Sequence, residues 1–370
     1  MTKDNIACLV GSIARLPSYC LSFFFIKKID GLVLISESHG WVISDISNTI
    51  KNLLTNKFKI YIDSLPFFYA NKIIHFGSFN SISKGKYKFI GLNNKIVVTI
   101  YHIDFYNANY KSKIAFLKSI IDKIDKITVP NYFLYDWLIK NGFIESKLLL
   151  IPIAYDEFHF KSRHKEQIKD IQSLKNQYNI PTEKLIIGSF QKDGSGWQGG
   201  TSPKYIKGPD VLVEVLTGIA KRYDVCCLLT GPSRGYVISE FKKNNIDYVH
   251  IDASKDQLPN LYACLDVYLI TSRIEGGPKG LMESMAIGVP VVSTRVGMSE
   301  DLIINHHNGI ISDVDDSDGL IKGLDQLLGN ALLVKKITNN ASKNILQYSW
   351  PVVIHQYESM YNKLMTFDNI

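Results

Sequence analysis

Residues 266–272 (DVYLITS) and 290–294 (PVVST) are short apolar runs separated by room for a single helix. Each reads as a buried strand, and one helix between two such strands makes them parallel members of one sheet. The same alternation runs through the second half, with further strands expected at 185–190 (LIIGSF), 224–229 (DVCCLL), 247–251 (DYVHI) and 309–312 (GIIS). That succession is what a doubly wound α/β sheet requires. The first half follows the same plan, with strands expected at 31–36, 57–62 and 95–100 and an amphipathic helix over 43–54. At 370 residues the chain is too long for one ordinary core and fits two domains of about 150 residues.

Between the first two runs lies SRIEGGPKGLMESMAIG, with Glu275 and Glu283 eight residues apart. A loop that leaves the carboxyl end of a parallel strand and opens a helix is where open α/β sheets bind ligands, because unpaired amides there face anions. Gly276 and Gly277 let the backbone approach a ligand, Pro278 presets the first helical turn, and a helix is expected from Lys279 to about Ala286, ended by Gly288. Glu283 then sits one turn into that helix. Two carboxylates that accept hydroxyl hydrogens suit a carbohydrate with a ribose attached.

Upstream, a helix is expected from about Gly208 and Pro209 to Lys221 and Arg222, with Lys207 just ahead of its start and Lys192 and Lys204 in the preceding loop. Residues 194–199 of that loop spell G-x-G-x-x-G, but a dinucleotide fingerprint needs the helix to open inside the motif. Here it opens some eight residues later, so these glycines read as a flexible loop. The D-x-D within Asp313, Asp315 and Asp316 lies in a polar turn, where N-capping is the commoner use.

The stretch from Ser272 to Met298, with the Lys207–Gly208 step, resembles the retaining nucleotide-sugar glycosyltransferases of family four. The resemblance covers about residues 95–365 and is specific over 185–312. It implies an α/β protein of the GT-B fold: two doubly wound Rossmann-like domains facing a cleft, with a C-terminal helix crossing back to the first domain. On that plan residues 1–28 are an added apolar segment, 29–165 the acceptor-binding domain, 180–348 the nucleotide-sugar donor domain, and 349–370 the crossover helix. That helix carries Val353, Tyr357 and Tyr361 on one stripe, and Trp350 anchors its start.

The resemblance implies that Glu275 holds hydroxyls of the transferred sugar, Glu283 holds the ribose, and Lys207 with Lys192 neutralises the diphosphate. No arginine follows the 185–190 run, and lysine cannot fork two oxygens as arginine does. The usual Phe-Gly pair is replaced by Gly277 and Pro278, which moves an amide contact to Gly277 or Lys279. The Gly231 loop and the 247–251 strand flank the base, and Arg234 either reaches phosphate or stays at the surface. His102, following the strand at 95–100, faces the sugar, with Asp104 as a candidate to orient its ring. The catalytic set is thus His102, Glu275 and Lys207, and the donor-binding set Lys192, Gly231, Gly276, Gly277, Lys279 and Glu283. No metal or cofactor is expected beyond the nucleotide sugar as co-substrate.

The resemblance further implies sugar transfer to a glycan or lipid-linked acceptor in bacterial surface polysaccharide or lipopolysaccharide synthesis. The alternatives are a sugar-nucleotide epimerase on the same fold and a catalytically silent glycan-binding subunit. Residues 1–160 hold 19 Lys and Arg against 12 Asp and Glu, so the net charge of +7 belongs to the first half. That balance suits an anionic acceptor or membrane surface; the scattered lysines offer no nucleic-acid motif. Five cysteines without a C-x-x-C suit a reducing compartment. Residues 6–26 are apolar but interrupted by Arg15 and Pro17, which fits neither a signal peptide nor a clean span. The expected place is the cytoplasm, at or near the inner face of the membrane.

Overall fold

A computed structural model of the chain describes residues 15, 28–36, 42–82, 90, 93–161, 171–196 and 199–366. All of the apolar segment except Arg15 and Lys28 lies outside them. The chain divides into two compact units: residues 1–151 with 353–370, and residues 152–352. Residues 152–179 count with the second unit.

The first unit holds a parallel sheet of six strands, β1 (Leu32–Ile35), β2 (Ile60–Asp63), β3 (Ile73–Phe76), β4 (Lys95–Thr99), β5 (Lys126–Val129) and β6 (Leu148–Leu150), in the order β2-β1-β3-β4-β5-β6. The helices described in it are α1 (Val42–Leu54), α2 (Tyr110–Ser119) and α3 (Tyr132–Lys140). A parallel sheet needs apolar residues on both faces, and β1 and β3 are buried at every position. No strand is expected from the sequence at β3, because its short IIHF run carries a histidine that breaks the apolar pattern.

The second unit opens with α4 (Ile171–Gln177) and continues with β7 (Leu185–Ser189), α5 (Pro209–Ile219), β8 (Val225–Thr230), α6 (Gly235–Lys243) and β9 (Tyr248–Ile251). Then come α7 (Leu258–Ala263), β10 (Val267–Ile270), α8 (Lys279–Ile287), β11 (Val291–Thr294), α9 (Met298–Leu302), β12 (Ile310–Ser312), α10 (Ser317–Leu328) and α11 (Ala331–Asn344). Its six strands are parallel in the order β12-β11-β10-β7-β8-β9. The core is built from the apolar stripe of α5 (Leu212, Val215, Leu216, Ile219) against Ile187, Cys227, Leu229 and Leu269. Burial pushes the Cys226 thiol up to about 11.

Strand order reverses between β7 and β10, which pair directly although α5, β8, α6, β9 and α7 intervene in the chain. From that point one crossover runs to each side, and the carboxyl ends of β7 and β10 flank the switch point, the place where open α/β sheets bind ligands. The last helix, α12 (Trp350–Thr366), begins where the second unit ends and belongs from Val353 onward to the first. Val353, Tyr357 and Tyr361 are buried, as their common stripe predicts, and Trp350 donates its N–H to the Tyr155 carbonyl. Among the described residues no helix is long and apolar enough to cross a membrane.

Candidate active site

The loops after β7 and β10 bring Lys207 and Glu275 together. Lys207 Nζ lies 2.5 Å from Glu275 Oε1, and both side chains stay partly open, 21% and 13% exposed. Ser272 Oγ donates to the same carboxylate oxygen at 2.9 Å. Gln191, second residue after β7, donates its side-chain amide to the Lys207 carbonyl at 2.9 Å, and its own amide oxygen lies 3.2 Å from Ser272 Oγ. One connected polar cluster therefore spans both loops. A partly exposed ion pair at a topological switch point is poised to exchange its internal partner for a charged or hydroxyl-bearing ligand.

Main-chain geometry fixes the two partners. Gly208 adopts φ +59° directly after Lys207, and a Cβ there would fall 1.9 Å from the Thr271 carbonyl oxygen. Only glycine lets the turn before α5 lie against the end of β10. Gly297, at φ +47°, packs as tightly against the Glu275 and Gly276 carbonyls. Arg273 clamps the assembly: its guanidinium forks onto Asp210 at 2.8 and 2.7 Å, while Nε donates to Asp315 at 2.6 Å and Nη1 to the Tyr205 carbonyl. Burial alone would lift the Asp210 carboxyl, but the Arg273 fork overrides it and holds it below its ordinary value. Sequence reading passed over Arg273; its place between Ser272 and Glu275 was the available signal.

Glu283 stands in the middle of α8, where its carboxylate accepts the Tyr262 hydroxyl at 2.8 Å. Tyr262 packs at a tilt against Phe190 and Tyr268, ring centroids 4.7 and 5.3 Å away. Burial pushes the Glu283 carboxyl up, countered by Lys279 one turn earlier and by the Tyr262 hydrogen bond. Glu283 thus offers an acceptor beside an aromatic wall, a setting suited to a hydroxylated ring. Helix α8 begins at Lys279 and ends with Gly288 at φ +90°. Pro278 is its N-cap, with extended backbone at ψ 112°, directly ahead of the first turn, which begins at Lys279 as expected. The pyrrolidine ring sets φ, while the carbonyl opens the helix. Gly276 is buried and Gly277 packs against Met298, where a Cβ would fall 2.5 Å from the sulfur.

Lys192 follows β7 in the same loop as Lys207, half-buried, and burial pulls its ammonium below the ordinary lysine value. Gly231, after β8, has φ +87° and accepts from His250 Nε2 at 2.9 Å. In the first unit His102 lies just past the carboxyl end of β4, half-buried. The Asp104 carboxylate turns back on its own loop, accepting the Tyr106 N–H at 3.1 Å. Asp316 caps α10 by accepting the Gly319 N–H at 2.9 Å, while Asp313 and Asp315 pair with Arg295 and Arg273.

Two expectations are overturned. Arg234 is neither at the surface nor open to phosphate: it is 1% exposed and ion-paired with Asp193. The glycine run is not slack at its start, where Gly194 lies on the Ser233 main chain and a Cβ would fall 2.1 Å from its carbonyl oxygen. Both misreadings have one origin: close main-chain packing and burial at a distance leave no period in the sequence.

Residues 201–344 match the family described as glycosyl transferases group 1. Among curated proteins the chain is 27% identical over 207 residues to N-acetyl-alpha-D-glucosaminyl L-malate synthase of Bacillus anthracis, covering 54% of this chain and 51% of that one. It is 25% identical over 126 residues to the capsular polysaccharide biosynthesis glycosyltransferase CapM of Staphylococcus aureus, covering 34% and 33%. The first curated relatives are matched over about half their length. Among solved structures, Anabaena Alr3699/HepE in complex with UDP superposes with a TM-score of 0.71 at 15% identity, covering 90% of this chain and 100% of that one. The two doubly wound six-stranded sheets and the returning helix are those of the GT-B fold.

Proposed function

Taking residues 201–344 as a glycosyl transferases group 1 domain, we propose that the chain is a retaining glycosyltransferase that moves a sugar from a nucleoside diphosphate sugar to a glycan or lipid-linked acceptor. The observation that carries this reading is the Lys207–Glu275 pair at the switch point of the second sheet. When donor binds, Lys207 turns from the carboxylate to the diphosphate, and Glu275 is released to accept hydroxyls of the sugar. Glu283, with Tyr262 behind it, accepts from the ribose, and the loop at Gly231 flanks the base. Gly276, Gly277 and Lys279 offer main-chain N–H groups at the start of α8.

As the bond to the anomeric carbon breaks, negative charge gathers on the departing diphosphate. Lys207, seconded by Lys192, stabilises it in place of a metal. His102 assists from the acceptor side, and the acceptor hydroxyl replaces the diphosphate with the anomeric configuration kept. The relatives support the context: one is named an N-acetyl-alpha-D-glucosaminyl L-malate synthase and another a capsular polysaccharide biosynthesis glycosyltransferase, and HepE was solved with UDP. We place the enzyme in surface polysaccharide or lipopolysaccharide synthesis, in the cytoplasm beside an anionic membrane face.

The test is a panel of nucleotide sugars, incubated with bacterial glycan and lipid-linked acceptor extracts and followed by nucleoside diphosphate release. Acceptor-dependent release from one donor is expected. Interconversion of a nucleotide sugar without acceptor would instead identify an epimerase, and no binding of any nucleotide would identify a silent glycan-binding subunit.

A further inference from the structure

The loop leaving β7 is shaped by a buried ion pair that plays no part in the chemistry above. Asp193 and Arg234 have fully buried side chains, with Nη2 3.0 Å from Oδ2. Arg234 Nη1 donates to the carbonyls of Ser189, Gln191 and Thr230 at 2.7, 2.6 and 3.1 Å. One guanidinium thus gathers the ends of β7 and β8 and the first turn of the loop. Among the described residues neither carboxylate oxygen of Asp193 nor Arg234 Nε has a hydrogen-bond partner. A buried pair with unmet hydrogen bonds is a poor source of stability compared with apolar packing, so its presence calls for another reason.

Residues 193–195 and 202–204 run antiparallel as the two arms of a hairpin. Gly194 bridges Pro203, the Ser195 N–H donates to the Ser202 carbonyl at 2.8 Å, and the Lys204 N–H donates to the Asp193 carbonyl at 2.7 Å. The hairpin lies on the turn before α6. The N–H groups of Gly235 and Tyr236 donate to the Gly199 and Gly200 carbonyls at 2.7 and 2.9 Å, and Ser233 Oγ donates to the Gly196 carbonyl at 2.8 Å. Gly200 touches the Ser233 main chain, where a Cβ would fall 2.3 Å away. Lys192 enters the hairpin and Lys207 follows it by one 3-10 turn. The hairpin therefore sets the spacing between the two lysines.

We propose that Asp193 and Arg234 are positioning residues for donor binding: they brace this hairpin and thereby hold Lys192 and Lys207 at a spacing matched to a diphosphate. The inference rests on the donor site proposed above. A guanidinium suits the task because its rigid fork donates to several carbonyls at once while the Asp193 charge offsets its own, whereas apolar contacts would let the loop slide.

The experiment titrates UDP, GDP, ADP and dTDP into the parent and into Arg234→Met, Arg234→Lys and Gly200→Ala, and measures melting temperature and donor KM and kcat. Arg234→Met should raise Kd for the bound nucleotide and donor KM about tenfold or more, with a smaller change in kcat. Arg234→Lys should not rescue, because one ammonium cannot span three carbonyls and a carboxylate. Gly200→Ala keeps both charges and displaces only the hairpin, so it should reproduce the loss of binding. It also serves if Arg234→Met does not fold. Nucleotide affinity within about twofold of the parent in folded Arg234→Met or in Gly200→Ala would overturn the brace alone. A parent that binds none of the four overturns the donor reading, and the brace with it.

Discussion

Each unit keeps a polar cluster near its sheet, and the two clusters are built to opposite ends. In the second unit the cluster is ionic and left ajar: Lys207 and Glu275 meet at 2.5 Å with both side chains partly exposed. In the first unit it is neutral and sealed. His75 on β3 lies 2.7 Å from the Tyr361 hydroxyl of α12 and 2.8 Å from Thr99 Oγ1, which in turn lies 2.7 Å from Thr128 Oγ1. Burial drives the His75 imidazole down to about 3, so it stays neutral and serves as a donor and acceptor in one ring. A closed neutral network fixes architecture, here the seat of the returning helix on β3, β4 and β5. An open charged one can trade partners with a ligand.

If that contrast is right, substitutions in the two clusters must fail differently. Glu275→Ala should lower transfer by about a thousandfold while shifting the melting temperature little, because its loss frees Lys207 at a partly exposed site. Full activity in this variant would break the contrast. His75→Leu should do the reverse: a loss of about 2–4 kcal/mol in urea unfolding, from stranding buried hydroxyls, with unchanged kcat per folded molecule.

The pH dependence of stability sharpens the point. His75 binds no proton in the folded state until about pH 3, whereas the unfolded chain takes one up near pH 6.5. Its contribution is therefore complete above 6.5 and is lost as pH falls from there toward 3, at about 1.4 kcal/mol per pH unit. Urea midpoints between pH 7 and 5 should show this slope in the parent, and a shallower one in His75→Leu. The smallest effect is expected at Lys57, which pairs with Glu358 of α12 at 2.6 Å on the exposed side of the same helix. Lys57→Met should leave melting unchanged within error, since exposed pairs seldom contribute measurably. A clear drop would mean that surface charge, and not the sealed network, seats α12.

The two regions were also unequally legible. In the second unit the strands, the helix running from Lys279 and its glycine stop could be read directly, because apolar runs and caps repeat with known periods. Lys207 and Glu275 could be singled out, since each flanks a helix start, although nothing in the sequence fixes their 2.5 Å meeting. What escaped depends on approach across the chain. Arg234 reaches back to Ser189 and Asp193 through burial that no local pattern announces. Gly194 and Gly200 are demanded by the Ser233 main chain, some thirty-odd residues away. In the first unit β3 was overlooked because His75, the residue that ties α12 down, interrupts its apolar run. Each miss falls on a polar or glycine position whose partner is remote in sequence.

The central claim is that Lys207 leaves Glu275 to meet the diphosphate of a sugar donor. Calorimetric titration of nucleoside diphosphates into the parent and into Lys207→Met tests it most directly, because it needs neither the acceptor nor turnover. The parent should bind one nucleotide with heat that Lys207→Met loses by at least about a hundredfold in affinity, with the fold intact by circular dichroism. Equal affinity in the two proteins would contradict the claim.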